Sequence, residues 1–335
     1  MKILVTGGAG YIGSHAVKTL LEKDNQVIVL DNLHRGYKQA IEFLQGRYGK
    51  DRLTFYQVDL REAAAVDQII SKERPAGALH FAALCLVNES MAQPVTYFEN
   101  NFSGSLNLVK AMLANKGNNL VFSSTCAVYG ESQYLPMDEL HPANPTNPYG
   151  ESKLLVEKAL RWLGQLNGLK YTVFRYFNVA GAWEDGSIGD SKKPSQLLVQ
   201  NAVRGALGLE QFSLTCPKVD TPDTTPIRDY INVCDLVEAH LLALDYLFDG
   251  GSSEVFNLGT GQGNSVLEVV DEVKRLTGVD FNIGRGEARQ GEYAQVYANI
   301  SKADRLLGWK PRRSLGDSVS SLLAWYKSHP NGWDY

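Results

Sequence analysis

The segment Gly7-Gly8-Ala9-Gly10-Tyr11-Ile12-Gly13 constrains this chain more than any other. It follows the apolar run Ile3-Leu4-Val5-Thr6 and precedes a helical pattern over Ala16 to Glu22. Gly7, Gly10 and Gly13 stand three apart, so a strand, a tight turn and a helix are expected in that order. Free N–H groups and the dipole at the helix start then hold a pyrophosphate. A second strand over Gln26 to Leu30 leads into Asp31, whose carboxylate accepts hydrogen bonds from an adenosine ribose and repels a 2′-phosphate. NAD rather than NADP is therefore the expected dinucleotide. Asp59, after a third strand, either caps the following helix or contacts the adenine.

Further along, short β-branched runs alternate with amphipathic segments. Strands are expected at Lys2 to Thr6, Gln26 to Leu30, Leu53 to Gln57, Ala78 to Phe81, Leu120 to Ser123 and Tyr171 to Arg175, six in all, with a helix at Ala63 to Ser71. This is the pattern of an α/β protein with a Rossmann-type doubly wound parallel sheet. Proline and glycine thicken from Asn178 onward, which marks a smaller α/β substrate-binding lobe. A helix at Val233 to Leu247 and a strand at Glu254 to Leu258 return the chain to the first domain. The dinucleotide-binding domain is expected over residues 1–177 with a return segment at 229–260, and the second lobe over 178–228 and 261–335. With 335 residues, 44% of them hydrophobic, the chain can bury a large core unaided. A net charge of −4 gives no electrostatic case for nucleic acid or an anionic membrane. The longest apolar stretch, Gly77 to Val87, is interrupted by His80 and is too short to span a bilayer. No signal peptide is read at the amino end, and a cytoplasmic protein is expected. Cys85, Cys126, Cys216 and Cys234 are scattered, so reduced thiols are expected, with no metal site.

The second chemical signal is Tyr149-Gly150-Glu151-Ser152-Lys153, which opens a helix running to about Leu166 after the proline-broken loop Asn144 to Pro148. Residues four apart share one helical face. A phenol has an ordinary pKa near 10 and becomes a base near neutrality only beside cations, which Lys153 and a nicotinamide ring would supply. Tyr149 is then the proton-transfer group. Ser123-Ser124-Thr125 leaves the fifth strand with three hydroxyls, one of which can orient a substrate hydroxyl.

Nearly end to end, the chain resembles the extended short-chain dehydrogenase/reductase superfamily and, within it, the UDP-glucose 4-epimerase family. The carriers are residues 5–15, Asp31-Asn32-Leu33, His80-Phe81-Ala82-Ala83, Asn88-Glu89-Ser90, residues 147–153, Arg175-Tyr176-Phe177-Asn178, Arg228-Asp229-Tyr230 and Phe256-Asn257-Leu258-Gly259. The resemblance implies a tightly held NAD that is reduced and reoxidised within each turnover, and a 4-ketose that turns before the hydride returns to its other face. It makes Thr125, Tyr149 and Lys153 catalytic, with Lys153 also on the nicotinamide ribose. Tyr11, Ile12, Asn32, Asp59, Leu60, Phe81, Ala82, Ala83, Asn100, Ser123 and Tyr176 fall on cofactor-lining positions. Asn178, Gln196, Arg228, Arg289 and Val296 fall on UDP-sugar positions, the arginines facing the diphosphate. A homodimer is implied through the helical stretches Thr96 to Ala114 and Lys153 to Gln165, whose apolar stripes equally suit packing on the sheet.

The chain departs from the family pattern in places. Cys85 stands where many members carry a lysine that reaches the cofactor phosphates. Gln196-Leu197-Leu198-Val199 replaces the usual Asn-Leu or His-Leu followed by proline, and Thr215 to Asp220 lacks the pair that flanks the base. Val296 aligns with a gate residue that is bulky in strict glucose/galactose enzymes; its small side chain either leaves room for an acetamide or is a strand core residue whose neighbours fill the space. Cys126-Ala127 after Thr125 replaces the Asp-Glu pair that a 4,6-dehydratase would need. A pentose or uronate 4-epimerase and a non-catalytic NAD-binding regulator are the competing readings. The intact Thr125, Tyr149 and Lys153 weigh against the regulator.

Overall fold

A computed structural model describes residues 1–192, 195–286 and 293–334. In chain order the elements run β1 (Lys2–Thr6), α1 (Tyr11–Glu22), β2 (Gln26–Asp31), α2 (Lys38–Tyr48), β3 (Leu53–Gln57), α3 (Ala63–Glu73) and β4 (Gly77–His80). Next come α4 (Val87–Ala92), α5 (Pro94–Tyr97), a π-helical turn (Phe98–Ser103) continuous with α6 (Gly104–Ala114), β5 (Asn119–Ser123), α7 (Pro148–Asn167) and β6 (Lys170–Tyr176). Then follow β7 (Asn178–Ala180), α8 (Leu198–Ala206), β8 (Ser213–Leu214), β9 (Ile227–Arg228), β10 (Tyr230–Asn232), α9 (Val233–Phe248) and β11 (Glu254–Leu258). The chain finishes with β12 (Asn264–Ser265), α10 (Val266–Thr277), β13 (Gly284–Arg285), β14 (Gln295–Val296), α11 (Ser301–Leu307) and α12 (Leu315–Ser328).

Two compact units form, Met1–Glu131 with Pro142–Arg175 and Val237–Phe256, and Ser132–His141 with Tyr176–Leu236 and Asn257–Tyr335. The division differs from the expected one at 132–141 and 229–236, and by a few residues where the segments end, at Arg175 rather than 177 and Phe256 rather than 260. Residues 132–141 leave the first unit because Met137 bridges Ala298, and its carbonyl accepts the Asn299 N–H at 2.7 Å and the Asn257 side-chain amide at 2.9 Å. The return begins at Val237 rather than 229 because β10 pairs with β7, Tyr230 opposite Asn178, inside the second unit.

The first unit is built on a sheet ordered β11-β6-β5-β4-β1-β2-β3: the six expected strands, joined by the returning strand expected at Glu254 to Leu258. Parallel register is set by pairs such as Val5 with Val29, Val5 with Leu79, and Phe122 with Val173. Strands buried on both faces must be apolar throughout, as Ile3-Leu4-Val5 and Val27-Ile28-Val29-Leu30 are. On one face Leu4, Ile28, Ala78, Leu120 and Val173 meet Val66 and Ile70 of α3, Leu108 and Met112 of α6, and Val156 and Leu160 of α7. The order reverses at β1, with β2 on one side and β4 on the other, which opens a crevice at their carboxyl ends. The candidate site lies there.

In the second unit α8, α10 and α12 pack on one another, and α12 also covers β7 and β10. Trp309 and Trp325 are buried, their indole N–H groups donating to the Asp235 and Asp190 carbonyls at 2.9 and 3.0 Å. Ser265 and Ser314 start α10 and α12 through reciprocal capping boxes with Glu268 and Asp317. Among the described residues no helix is long and apolar enough to cross a membrane.

Candidate active site

The glycine loop is built for close approach of backbone to backbone. Gly7 adopts a φ of +71°, and a Cβ there would stand 2.7 Å from the Ala82 nitrogen. A Cβ on Gly13 would lie 2.1 Å from the Gly7 carbonyl oxygen. Gly10 is the N-cap of α1 and has no side-chain cap, so the helix start presents backbone N–H groups to the crevice. The loop thus brings Gly7, Gly10 and Gly13 beside Phe81 and Ala82, with the Phe81 N–H donating to Thr6 O at 3.1 Å. Tyr11 and Ile12 open α1, and Tyr11 stacks edge-on to His15 at 5.4 Å. Ala83 follows on the half-buried stretch after β4.

Asp31 is buried at the end of β2, and its carboxylate accepts the N–H groups of Ala9 and Leu33 at 3.0 and 2.8 Å. Burial pushes its pKa up against those two bonds. Each oxygen keeps a lone pair, which suits a ribose hydroxyl. Asn32 donates to Asp59 at 2.8 Å. Of the two roles left open for Asp59, the cap is not made: Glu62 is the N-cap of α3, with no side-chain bond. Asp59 instead holds the Arg61 guanidinium at 2.9 and 2.8 Å, which keeps its carboxyl well below the usual range. Leu60, expected on the cofactor, turns its side chain into the core cluster.

At the next strands, Thr125 caps a short 3-10 turn over Cys126–Val128 by accepting the Ala127 N–H at 3.1 Å. Its own hydroxyl proton has no partner among the described residues. Asn147 caps α7 by accepting the Gly150 N–H at 2.9 Å, and Pro148 occupies the first turn. Gly150 must be glycine because a Cβ would stand 2.6 Å from the Ala127 carbonyl oxygen. This close approach sets the Thr125 turn against the start of α7. Tyr149 is buried among Leu84, Tyr97, Cys85 and Ala127, edge-on to the Tyr97 ring at 6.4 Å.

Lys153, one helical turn on, is 3% exposed, and its ammonium lies over the Phe122 ring at 4.6 Å. It makes no hydrogen bond among the described residues. Burial pushes its pKa down to about 8. His80 is also buried, bonded to Thr6 Oγ1 at 2.6 Å and Ser105 Oγ at 2.7 Å, and its pKa falls to about 3 from burial and then the Lys153 charge. A buried lysine whose ammonium has no hydrogen-bond acceptor among the described residues, a glycine cradle and the buried Asp31 carboxylate together fit a dinucleotide, whose ribose hydroxyls and phosphates supply acceptors.

Asn101, Glu157 and His240 are positioning groups that escaped the sequence, and Asn100 and Ser123, expected on the cofactor, bond to Asn101 and His240. Asn101, on the π-helical turn, accepts the Leu84 N–H at 2.8 Å and donates to Leu84 O and Ser152 Oγ at 2.9 Å each, which ties the β4 loop to α7. Asn100 donates to it at 2.9 Å. Glu157, a further turn along α7, pairs with buried Arg175 at 2.6 Å and accepts from Ser124 at 2.5 Å. Ser123 bonds His240 at 2.8 Å. No local motif announces these contacts, because they join residues far apart in the chain.

The second unit holds the remaining candidates. Val296 of β14 is the register partner of Arg228 of β9, so the expected gate and the expected diphosphate arginine are neighbours. Asp229 fixes both: its buried carboxylate accepts from Thr260 N and Oγ1 at 2.7 Å, Gly261 N at 3.1 Å and Ala298 N at 3.2 Å. Asn178 begins β7, its N–H donating to Asp229 O at 2.9 Å. Tyr176 ends β6, and Gln196 is exposed just before α8. Arg289 lies outside the described residues.

Residues 3–259 match the model of the NAD dependent epimerase/dehydratase family. A UDP-glucose 4-epimerase of Lactobacillus helveticus is 42% identical over 100% of this chain and 99% of its own length. The crystal structure of the UDP-glucose 4-epimerase from Bifidobacterium longum in complex with NAD+ and UDP is 36% identical, with a TM-score of 0.94 over 99% of this chain and 100% of that one. The UDP-Glc/GlcNAc 4-epimerase of Campylobacter jejuni is 39% identical, with a TM-score of 0.84 over 98% of this chain and 99% of that one.

Proposed function

Because the chain belongs to the NAD dependent epimerase/dehydratase family, we propose that it interconverts UDP-hexoses at C4 of the sugar, with UDP-galactose and UDP-glucose as the central pair. The observation that supports this reading is the close approach of the turn after Thr125 to the start of α7, Gly150 against the Ala127 carbonyl, on the helix that carries Tyr149 and a Lys153 without a hydrogen-bond acceptor among the described residues. NAD, held by the glycine loop, Asp31 and Lys153, would supply a reversible hydride acceptor for the C4 hydrogen.

Every other part of the chemistry belongs to the chain. Tyr149 takes the proton of the 4-hydroxyl, and the Lys153 cation on the same helical face favours its phenolate. Thr125, whose oxygen is held by the Ala127 N–H, is left free to donate its own proton to the substrate O4. The glycine loop, Asp31 and Lys153 hold the cofactor. Asn178, Gln196, Arg228 and Arg289 hold the nucleotide end, which leaves the sugar free to turn between its two faces. Val296 is buried and pairs in register with Arg228; a side chain this small at the expected gate would favour a 2-acetamido group, so UDP-N-acetylhexosamines are also substrates in this reading. The likeness to an enzyme named for both Glc and GlcNAc supports it. We further assign a cytoplasmic homodimer, with no nucleic-acid or membrane partner. Trp162 and Leu166, exposed one turn apart on α7, support a partner on that helix.

The test is to incubate purified protein, without added NAD, with UDP-galactose and separately with UDP-N-acetylgalactosamine, and to follow both by proton NMR. Both should reach their gluco forms, and Val296→Tyr should lose only the second. Failure of both substrates even after NAD is added would remove the hexose reading and leave a pentose or uronate sugar as the next substrate to try.

A further inference from the structure

The strand order has a consequence for the loops at the crevice. β1 lies between β4 and β2, so any link from the loop after β2 to the helix after β4 crosses the carboxyl end of β1, in front of the glycine loop. The two outer strands are about 10 Å apart at ordinary spacing. One ion pair makes such a link. Arg35, in the loop after β2, donates from one guanidinium nitrogen to both carboxylate oxygens of Glu89 on α4, at 2.6 and 2.7 Å.

Both ends are held by their own surroundings. Next to Arg35, the Tyr37 N–H donates to Ala9 O at 2.9 Å, and a Cβ on Gly36 would stand 2.8 Å from that of Ala9, so this loop is seated on the glycine loop itself. At the other end Glu89 Oε2 lies 2.8 Å from the hydroxyl of buried Tyr97, which also accepts the Leu86 N–H at 2.9 Å. Tyr97 in turn packs edge-on to Tyr149. The guanidinium and the carboxylate are themselves 33% and 28% exposed, so the pair can open into water without unfolding anything.

The geometry points to a clasp: Arg35 and Glu89 close over a dinucleotide lying along the carboxyl ends of β2, β1 and β4, and the pair must part before the cofactor enters or leaves. This rests on the cofactor site proposed above and adds to it the control of cofactor residence. A half-exposed pair of this kind contributes no more than about 1 kcal/mol, so opening it permanently should speed release about fivefold.

The experiment uses the protein loaded with NAD and measures the rate at which NAD is lost to an excess of an NAD-consuming dehydrogenase, for the parent chain, Arg35→Met, Glu89→Gln and the double variant. Each single variant should release NAD about fivefold faster, and the double variant no faster than either. Added salt should speed the parent toward the variants and leave them unmoved. Unchanged release in the single variants, or effects that multiply in the double variant, would overturn the clasp. Faster release from Arg35→Met alone would also overturn it, since Arg35 would then be touching the cofactor directly. A parent chain that neither carries nor takes up NAD overturns the cofactor site itself, and that result is distinct from the others.

Discussion

Replacing Lys153 by methionine should make the NAD-free protein more stable while abolishing its chemistry. The residue is buried, its ammonium lies over an aromatic ring and has no hydrogen-bond acceptor among the described residues, and its pKa falls from 10.5 to about 8. At 1.36 kcal/mol per unit, holding the charged form in the fold costs about 3 kcal/mol. The folded chain releases this proton near pH 8 and the unfolded chain near 10.5, so the cost is fully present below 8. It is relieved as the pH rises between the two values, because the unfolded chain then binds more protons. Methionine matches the stem in length and carries no charge, so Lys153→Met should raise the unfolding free energy by about 3 kcal/mol below pH 8. That advantage should fade toward pH 10.5. Urea unfolding of the NAD-free parent and variant, at pH values on both sides of 8, measures the difference. Turnover should fall at least about a hundredfold with the loss of the cation beside Tyr149. A variant less stable than the parent at neutral pH, or a difference that does not change with pH, would refute the reasoning.

Three further outcomes follow from the same geometry. His80 is held neutral with its pKa at about 3, so stability should be lost as the pH falls below 6.5; His80→Gln escapes this, and the gap in urea unfolding between parent and variant should narrow in acid. Arg175→Met strands the buried Glu157 carboxylate and should cost about 3 to 5 kcal/mol, most of which returns in Arg175→Met with Glu157→Gln, where the acceptor for Ser124 is kept; denaturant titration checks both. Gly13→Ala sets a methyl 2.1 Å from the Gly7 carbonyl oxygen and should destabilise the fold by about 1 to 3 kcal/mol and remove bound NAD, as read by unfolding and by nucleotide content.

What the sequence discloses and what it hides divide along physical lines. β1 was expected at the bounds the structure gives it because a strand buried on both faces is an apolar run cut off by a turn, and β3, a partly buried edge strand, because its β-branched and aromatic residues are bounded by polar ones. The glycine triplet and the Tyr149-Lys153 spacing were legible because each acts within one or two turns of chain. α1 begins at Tyr11, five residues before the pattern suggested, since glycine and serine mask a helix start that the loop geometry imposes. For Asp59 the sequence left a cap and an adenine contact open, and a neighbouring arginine takes its carboxylate. Long-range polar contacts such as Asn101 to Ser152 and Asp229 to Ala298 left no local signature. Residues 132–141 join the second unit through backbone bonds of Met137 with Tyr297 and Asn299 and through Asn257, contacts that no periodicity announces.

The central claim is that Tyr149 and Lys153 serve an oxidation and re-reduction at C4 in which the C4 hydrogen never reaches water. The most direct measurement is to convert UDP-galactose deuterated at C4 in ordinary water and to locate the label in the product by NMR. Full retention of deuterium at C4 of UDP-glucose, with Tyr149→Phe forming product at least about a hundredfold more slowly, is the result this account predicts. Exchange of the label for solvent hydrogen, or undiminished turnover in Tyr149→Phe, would contradict it.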